Sequence, residues 1–253
     1  MRAEARVVAE CDSRGRTRLT VLRGESPLLL RRTGPPGVTA SPGVTVHLVG
    51  GAAGPLRGDE LRLEIEVGSG AWLEFRSVAA SLALPGRSFL PASRLTVTAT
   101  VAAGGTLRYL PEPLIAAAGC DHIAVTRVDV AEGGSLLWRD DLVCGRHGED
   151  SGDLRADTRI SYAGATLYRH ELAVGPAAPG WSGAAVLGDG RAVGTLVAAG
   201  PDLPPLGMAG PSAAVMPLAG PGVLATAVSA DVREVARALD PLCHRATEFA
   251  AAG

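Results

Sequence analysis

Apolar and polar positions alternate along most of this chain, and that period of two predicts strands over nearly its whole length. Ala3–Glu10 and Thr17–Arg23 alternate on either side of Asp12-Ser13-Arg14-Gly15, a turn-rich spacer that predicts a hairpin. Gly34-Pro35-Pro36-Gly37 and Ser41-Pro42-Gly43 then punctuate a loop. Val44, Val46 and Leu48 alternate with Thr45 and His47 until Gly50-Gly51, so His47 falls on the polar, solvated face. Leu61, Leu63, Ile65 and Val67 alternate with Arg62, Glu64 and Glu66, as in a strand with one buried face. Gly68–Gly70 make a turn, and Trp72–Phe75 return.

That unit recurs. Val67–Leu73 (VGSGAWL) aligns with Val101–Leu107 (VAAGGTL) and Val130–Leu136 (VAEGGSL), and more loosely with Tyr162–Leu167 (YAGATL). Leu73, Leu107, Leu136 and Leu167 are 34, 29 and 31 residues apart. A strand, a glycine turn and a returning strand at such spacing predict an all-β, mainly antiparallel fold in stacked, β-helix-like layers. After Val174 the chain turns rich in Gly, Pro and Ala. Ala184–Leu187, Ala192–Val197, Ala213–Met216 and Val223–Val228 still predict short strands. Ser229 is expected to cap a helix with Val232, Val235, Ala236 and Leu239 on one face, and Pro241 to end it. One or two short helices are expected in all, this one near the C-terminus. No domain boundary stands out, and residues 1–253 read as a single β-rich domain.

Composition narrows the function classes. A net charge of -2 offers no support for nucleic-acid or anionic-membrane binding, both of which favour a basic excess. All 24 basic residues other than histidine are arginine, and Lys, Asn and Gln do not occur. Schiff-base chemistry on lysine and N-glycosylation are therefore closed to the chain. The first residues carry scattered charges with no apolar stretch like that of a signal peptide, and no run of roughly 18 apolar residues follows. A cytoplasmic, soluble protein is the expectation.

Candidate chemistry gathers between Leu107 and Glu149. Cys120-Asp121-His122 and Cys144-x-x-His147 offer ligands that zinc or nickel would accept if their strands were neighbours. Their spacing matches no structural zinc motif, so core cysteines with surface histidines is the first reading and a metal site the alternative. Cys11 and Cys243 stand far off and no CxxC occurs. Asp140 and Asp141 point to opposite faces of a strand, and with Glu149, Asp150 and Asp153 they read as solvated acids paired to Arg139 and Arg146. Gly180-Trp181-Ser182-Gly183 lacks the second spacer of a GxSxG nucleophile motif. With His47 and Asp59 it has only the chain order of a triad, so a tight turn is the better reading. Gly50–Gly54 has no Lys-Ser/Thr after it and is no phosphate loop.

The run His47–Leu61 (HLVGGAAGPLRGDEL), leading into an alternating strand and VGSGAWLEF, resembles the UreD (UreH) urease accessory protein family. Leu110-Pro111-Glu112-Pro113-Leu114-Ile115 is similar to that family's Leu-Pro-(Gln/Glu)-x-x-Ile segment. Gly145-Arg146-His147-Gly148-Glu149, with Gly152, is similar to its Gly-Arg-x-x-x-Gly-Glu element. The resemblance is best over residues 44–175. Arg76-Ser77-Val78-Ala79-Ala80 stands where the family has a Thr-Gln segment, and Pro55-Leu56-Arg57 precedes Gly58-Asp59; both mark a divergent branch.

The resemblance implies a stacked β-fold without enzymatic activity, acting as a chaperone in metallocentre assembly for nitrogen metabolism. Such a scaffold binds the UreF-type accessory protein, through it the UreG-type GTPase, and apo-urease subunits. It implies no tightly bound cofactor: nickel is transient cargo in an internal passage, near which Asp59, Ser77 and Glu149 are placed by position. Each also has a local reading, as turn cap, strand-end hydroxyl and ion-pair partner of arginine. The alternatives are a β-rich metal-dependent or serine hydrolase, and a β-solenoid binding module with no metal role.

Overall fold

A computed structural model describes residues 1–33, 43–201, 203 and 213–250, with side chains through 243. The expected loop over 34–42 lies outside the described residues. Strands β1 (Arg2–Cys11) and β2 (Thr17–Gly24) form the expected hairpin. Next come β3 (Leu28–Thr33) and β4 (Val44–Gly50), also antiparallel.

Three coils follow. The first is β5 (Glu60–Val67), β6 (Trp72–Ser77) and β7 (Ser81–Ala83). The second is β8 (Ser93–Val101), β9 (Thr106–Leu110) and β10 (Leu114–Ala116). In the third, β11 (Asp121–Val130) leads into one long strand, β12 (Ser135–Cys144), which pairs with both β9 and β10. The stack closes with β13 (Asp153–Tyr162), β14 (Ala165–Val174), β15 (Ala192–Ala199), β16 (Ala213–Pro217) and β17 (Gly222–Ser229). Helix α1 (Val232–Ala250) ends the described chain.

The strands form two sheets. One runs β14-β13-β11-β8-β5-β1-β2; the other runs β16-β17-β15-β12-β9-β6-β4-β3, with β10 and β7 beside β12. The all-β, stacked-layer expectation holds, but the sense of pairing inside the stack differs. Among the described residues nine ladders are parallel and six antiparallel, and the parallel ones join successive coils. The cause lies in the glycine turns, which are corners rather than hairpins. Each carries the chain from one sheet to the other, so a strand's neighbours are its counterparts in the coils above and below.

The corner geometry accounts for the repeated glycine. Gly70, Gly104 and Gly133 have φ of 68°, 70° and 77°, the left-handed region where a Cβ is costly. Each occupies the third position of a turn closed by a backbone hydrogen bond: Ala71 to Gly68 (3.1 Å), Gly105 to Ala102 (2.9 Å) and Gly134 to Ala131 (2.9 Å). The Gly104 amide also donates to the Gly133 carbonyl at 3.0 Å, so the turns themselves stack. The looser fourth copy is a true two-residue hairpin between β13 and β14, with both Ala163 (φ 49°) and Gly164 (φ 79°) left-handed.

Register then aligns the core. Phe75 pairs with Tyr109, and Tyr109 with Trp138, which stacks the three rings at centroid separations of 5.3 and 3.9 Å. Ile65, Ala99, Val128 and Ile160 are buried in the same core from the other sheet. Helix α1 covers the opposite face of the second sheet with Val235, Leu239 and Leu242. Its cap is Asp231 and not the expected Ser229: Asp231 Oδ1 accepts from the Arg233 amide at 2.8 Å. Pro241 lies inside the helix rather than ending it, because Leu239, Leu242 and Cys243 around it are seated in the core and hold the next turn down. Ala184–Leu187 forms turns and not a strand, its amides bonding locally, Val186 to Gly183 and Leu187 to Trp181.

The helix seat depends on Gly194 of β15. A Cβ there would sit 2.5 Å from Val235 Cγ1, 2.5 Å from Asp141 Oδ1 and 2.7 Å from Leu239 Cδ1. Gly194→Ala should force α1 outward and cost about 1–3 kcal/mol in urea unfolding. Unchanged stability would contradict this packing of the helix.

Candidate functional site

The chemistry concentrates on β12, whose alternation sorts its side chains between two environments. Trp138, Asp140 and Leu142 face the interior between the sheets, while Arg139 and Asp141 face α1. The expectation that Asp140 and Asp141 point oppositely is met. The expectation that both are solvated acids is not.

Asp140 lies deep among protein atoms yet keeps partial solvent access through a narrow cleft of about 100 Å³. Its Oδ2 accepts from Trp138 Nε1 at 2.9 Å and from Thr158 Oγ1, on the facing sheet, at 3.5 Å. Thr126, Thr158, Thr195 and Tyr168 add hydroxyls to the cleft, and exposed His170 on edge strand β14 borders it. Among the described residues Asp140 has no ion pair. Burial therefore pushes its carboxyl up to about 6. Period two places Asp140 beside Trp138, but nothing in the sequence places Thr126, Thr158, Thr195 and His170 around it. Those come from four other strands.

On the other face, Arg139 holds Asp141 Oδ2 through Nε (2.9 Å) and Nη2 (2.8 Å) and reaches Asp240 of α1 at 2.5 Å. Arg108 bonds Glu74 at 3.1 Å and the Cys243 carbonyl at 3.1 Å. This is an ion network between helix and stack. Burial raises the Asp141 carboxyl, opposed by Arg139.

The Cys/His candidates do not assemble. Cys120 and Cys144 are buried, and burial raises both thiols to about 11, away from the thiolate that a metal requires. His122 is a correction to the surface reading. It is 1% exposed, its Nδ1 lies 2.9 Å from Ser93 Oγ, and burial lowers it to about 4. His147 is exposed on the loop after β12. Among the described residues no group of three or more His, Cys, Asp and Glu is placed to hold a metal. Ser182 sits in an exposed turn, and His47 Nδ1 is engaged by Thr33 Oγ1 at 2.8 Å.

Asp59, Ser77 and Glu149 each have local partners. Asp59 is buried, with Oδ1 2.7 Å from the Met1 ammonium and Oδ2 accepting from the Leu56 amide at 2.9 Å. Ser77 Oγ donates to the Ala79 carbonyl (3.0 Å) and accepts from the Glu112 amide (2.9 Å). Glu149 pairs with Arg146 at the surface, and Arg146 Nε approaches it to 2.7 Å. No hydrogen bond or ion pair among the described residues joins any two of the three.

A family model described as UreD urease accessory protein matches residues 1–252. The chain belongs to the UreD urease accessory protein family. It is 47% identical to urease accessory protein UreD 3 of Streptomyces griseus over 246 residues, covering 95% of each chain. It is 44% identical to urease accessory protein UreD of Streptomyces coelicolor over 245 residues, covering 95% of this chain and 94% of the relative. Urease accessory protein UreD of Frankia casuarinae is 44% identical over 225 residues, 80% of this chain and 70% of the relative. The match extends well beyond the 44–175 stretch that carries the resemblance in sequence. Among the described residues, no helix of this UreD-family chain is long and apolar enough to cross a membrane.

The displaced titrations of Asp140 and His122 oppose each other in sign. With its folded value near 6 against an ordinary 3.8, Asp140 contributes stability below pH 3.8 that is lost as the pH rises through 6. With its folded value near 4 against 6.5, His122 contributes stability above pH 6.5 that is lost as the pH falls toward 4. Asp140→Asn removes the first and leaves the second. In urea unfolding across that range, the variant should gain on the wild type as pH rises and lose stability more steeply on acidification. Parallel pH profiles would contradict the buried placement of Asp140.

Proposed function

We propose that the chain is a non-enzymatic scaffold for urease maturation, a chaperone that holds partners while nickel is inserted into apo-urease. Membership of the UreD family over residues 1–252 is the observation that carries this reading. The architecture supports it: a stack of coils offers broad, rigid faces, and the serine, histidine and cysteine candidates lie apart in local roles. In this reading the partners are a UreF-type accessory protein, a UreG-type GTPase held through it, and the urease subunits, in the cytoplasm. Nickel is cargo, not cofactor.

Co-expression of urease subunits and the other accessory proteins, with and without this chain, tests the reading. Nickel content and urease activity should fall by roughly tenfold or more without it, equivalent to about 1.4 kcal/mol or more at the limiting step. Equal nickel loading would overturn it.

The passage residues form a separable part of the proposal. Asp59→Asn with Glu149→Gln should lower urease activation at limiting nickel while partner binding persists. Removing the Glu149 charge should cost little stability, since its ion pair is at the surface. Unchanged activation at limiting nickel would take Asp59 and Glu149 out of the passage.

A further inference from the structure

The solvent-facing side of the seven-stranded sheet settles its charges differently in its two halves. Toward β1 and β5 they cross-pair: Arg2 meets Glu60 at 3.0 Å, and Arg6 meets Glu64 at 3.2 Å and Glu66 at 2.6 Å. Toward the other edge the register does the opposite. Arg127 of β11 stands beside Arg159 of β13, and Arg159 beside Arg169 of edge strand β14, so three guanidiniums share one row. Like charges directly opposite each other repel. Arg127 is engaged by Asp157, through its carboxylate and through the backbone carbonyl at 2.9 Å. That hydrogen bond to the carboxylate, with the added charge of Arg169, holds Asp157 below the usual carboxylate range. One carboxylate thus serves three arginines. The adjacent Arg155 and Glu171 offset each other at 3.6 Å. Arg159 and Arg169 are exposed, and among the described residues neither has an ion pair. Guarding of an open sheet edge accounts for a charge on β14, but not for Arg159 one strand inside it.

We propose that this arginine row docks an acidic helix of a partner protein. The proposal rests on the reading of the chain as a scaffold that holds partners, and it names one surface and the chemistry that fits it. A guanidinium is a planar fork that grips a carboxylate through two parallel hydrogen bonds, and it sheds its water more readily than an ammonium. Spacing selects the form of the occupant. Neighbouring strands lie about 4.8 Å apart, so the row from β11 to β14 spans about 10 Å. Acidic residues at i, i+4 and i+7 of a helix share one face and span about 10.5 Å. Same-face residues of an extended segment lie about 6.7 Å apart, so three of them span about 13 Å and overrun the row. A nucleic-acid backbone suits the surface less. Asp157 and Glu171 stand among the arginines, and the whole chain carries a net charge of -2. The row ends on the last strand of the sheet, so it is open to a partner on that side.

The probe is a fluorescein-labelled, alanine-rich helical peptide with glutamate at i, i+4 and i+7. The full chain is titrated into it at neutral pH and low salt, with fluorescence anisotropy as the readout. A control peptide has the same composition with its glutamates moved to three different faces. The wild type should bind the first peptide saturably and the control more weakly. Arg159→Gln with Arg169→Gln should weaken binding on the order of tenfold or more. Both positions are exposed, so the double variant should fold. With the like-charge repulsion relieved, its urea midpoint should be unchanged or higher. Arg6→Gln, on the half whose charges are paired, should keep its affinity within about twofold of the wild type. Absence of saturable binding, equal affinity for the two peptides, equal affinity in wild type and double variant, or displacement of the peptide by an equal concentration of single-stranded RNA would each overturn the proposal. All are read without urease or the other accessory proteins, so failure of the arginine row and failure of the scaffold reading are told apart.

Discussion

Each glycine corner sets the register of everything stacked beside it. Gly70, Gly104 and Gly133 turn the chain at equivalent points, so Leu73, Leu107 and Leu136 come into line, and two residues on so do Phe75, Tyr109 and Trp138. Side chains alternate between faces along a strand, so a slip of one residue in any corner would drive a ring of that stack outward and a polar neighbour inward. The stacked rings and the buried aliphatic rows of the facing sheet reward only one register. The depth of Asp140 follows from the same alignment, since it lies two residues beyond Trp138 on the same face of β12.

Strand positions were legible because period two survives wherever one face is buried. Strand partners were not. A hairpin and a corner share one local pattern, an alternating run, a glycine turn and an alternating run, and they differ only in what packs against them about thirty residues away. The Ala163-Gly164 turn is a hairpin and the three glycine corners are not, though all four look alike in sequence. The strands β7 and β10, three residues each, are too short to display any period. Pro241 could not be placed from local rules, because tertiary packing of Leu239 and Leu242 outweighs its helix-breaking tendency.

The segments that carry the family resemblance are mostly mechanical. In the Gly145–Gly152 element, Arg191 binds the carbonyls of Cys144 and Glu149 and ties the loop to the stack. A Cβ on Gly152 would meet the Ala117 carbonyl at 2.3 Å, so this position needs close backbone approach. Asp59 anchors the first residue of the chain, and Ser77 joins one coil to the next through the Glu112 amide. The group with chemistry to spare is Asp140, which no motif marks. Its setting is assembled from β11, β12, β13, β14 and β15, and becomes visible only once those strands are placed.

In the proposed function the chain is a rigid platform that docks on urease before the metal arrives. The most direct measurement is light scattering during size-exclusion chromatography of this chain mixed with nickel-free urease in the presence of a chelator. The account predicts co-elution in a complex of defined stoichiometry that does not require nickel. Separate elution of the two proteins, with and without the other accessory components, would contradict it.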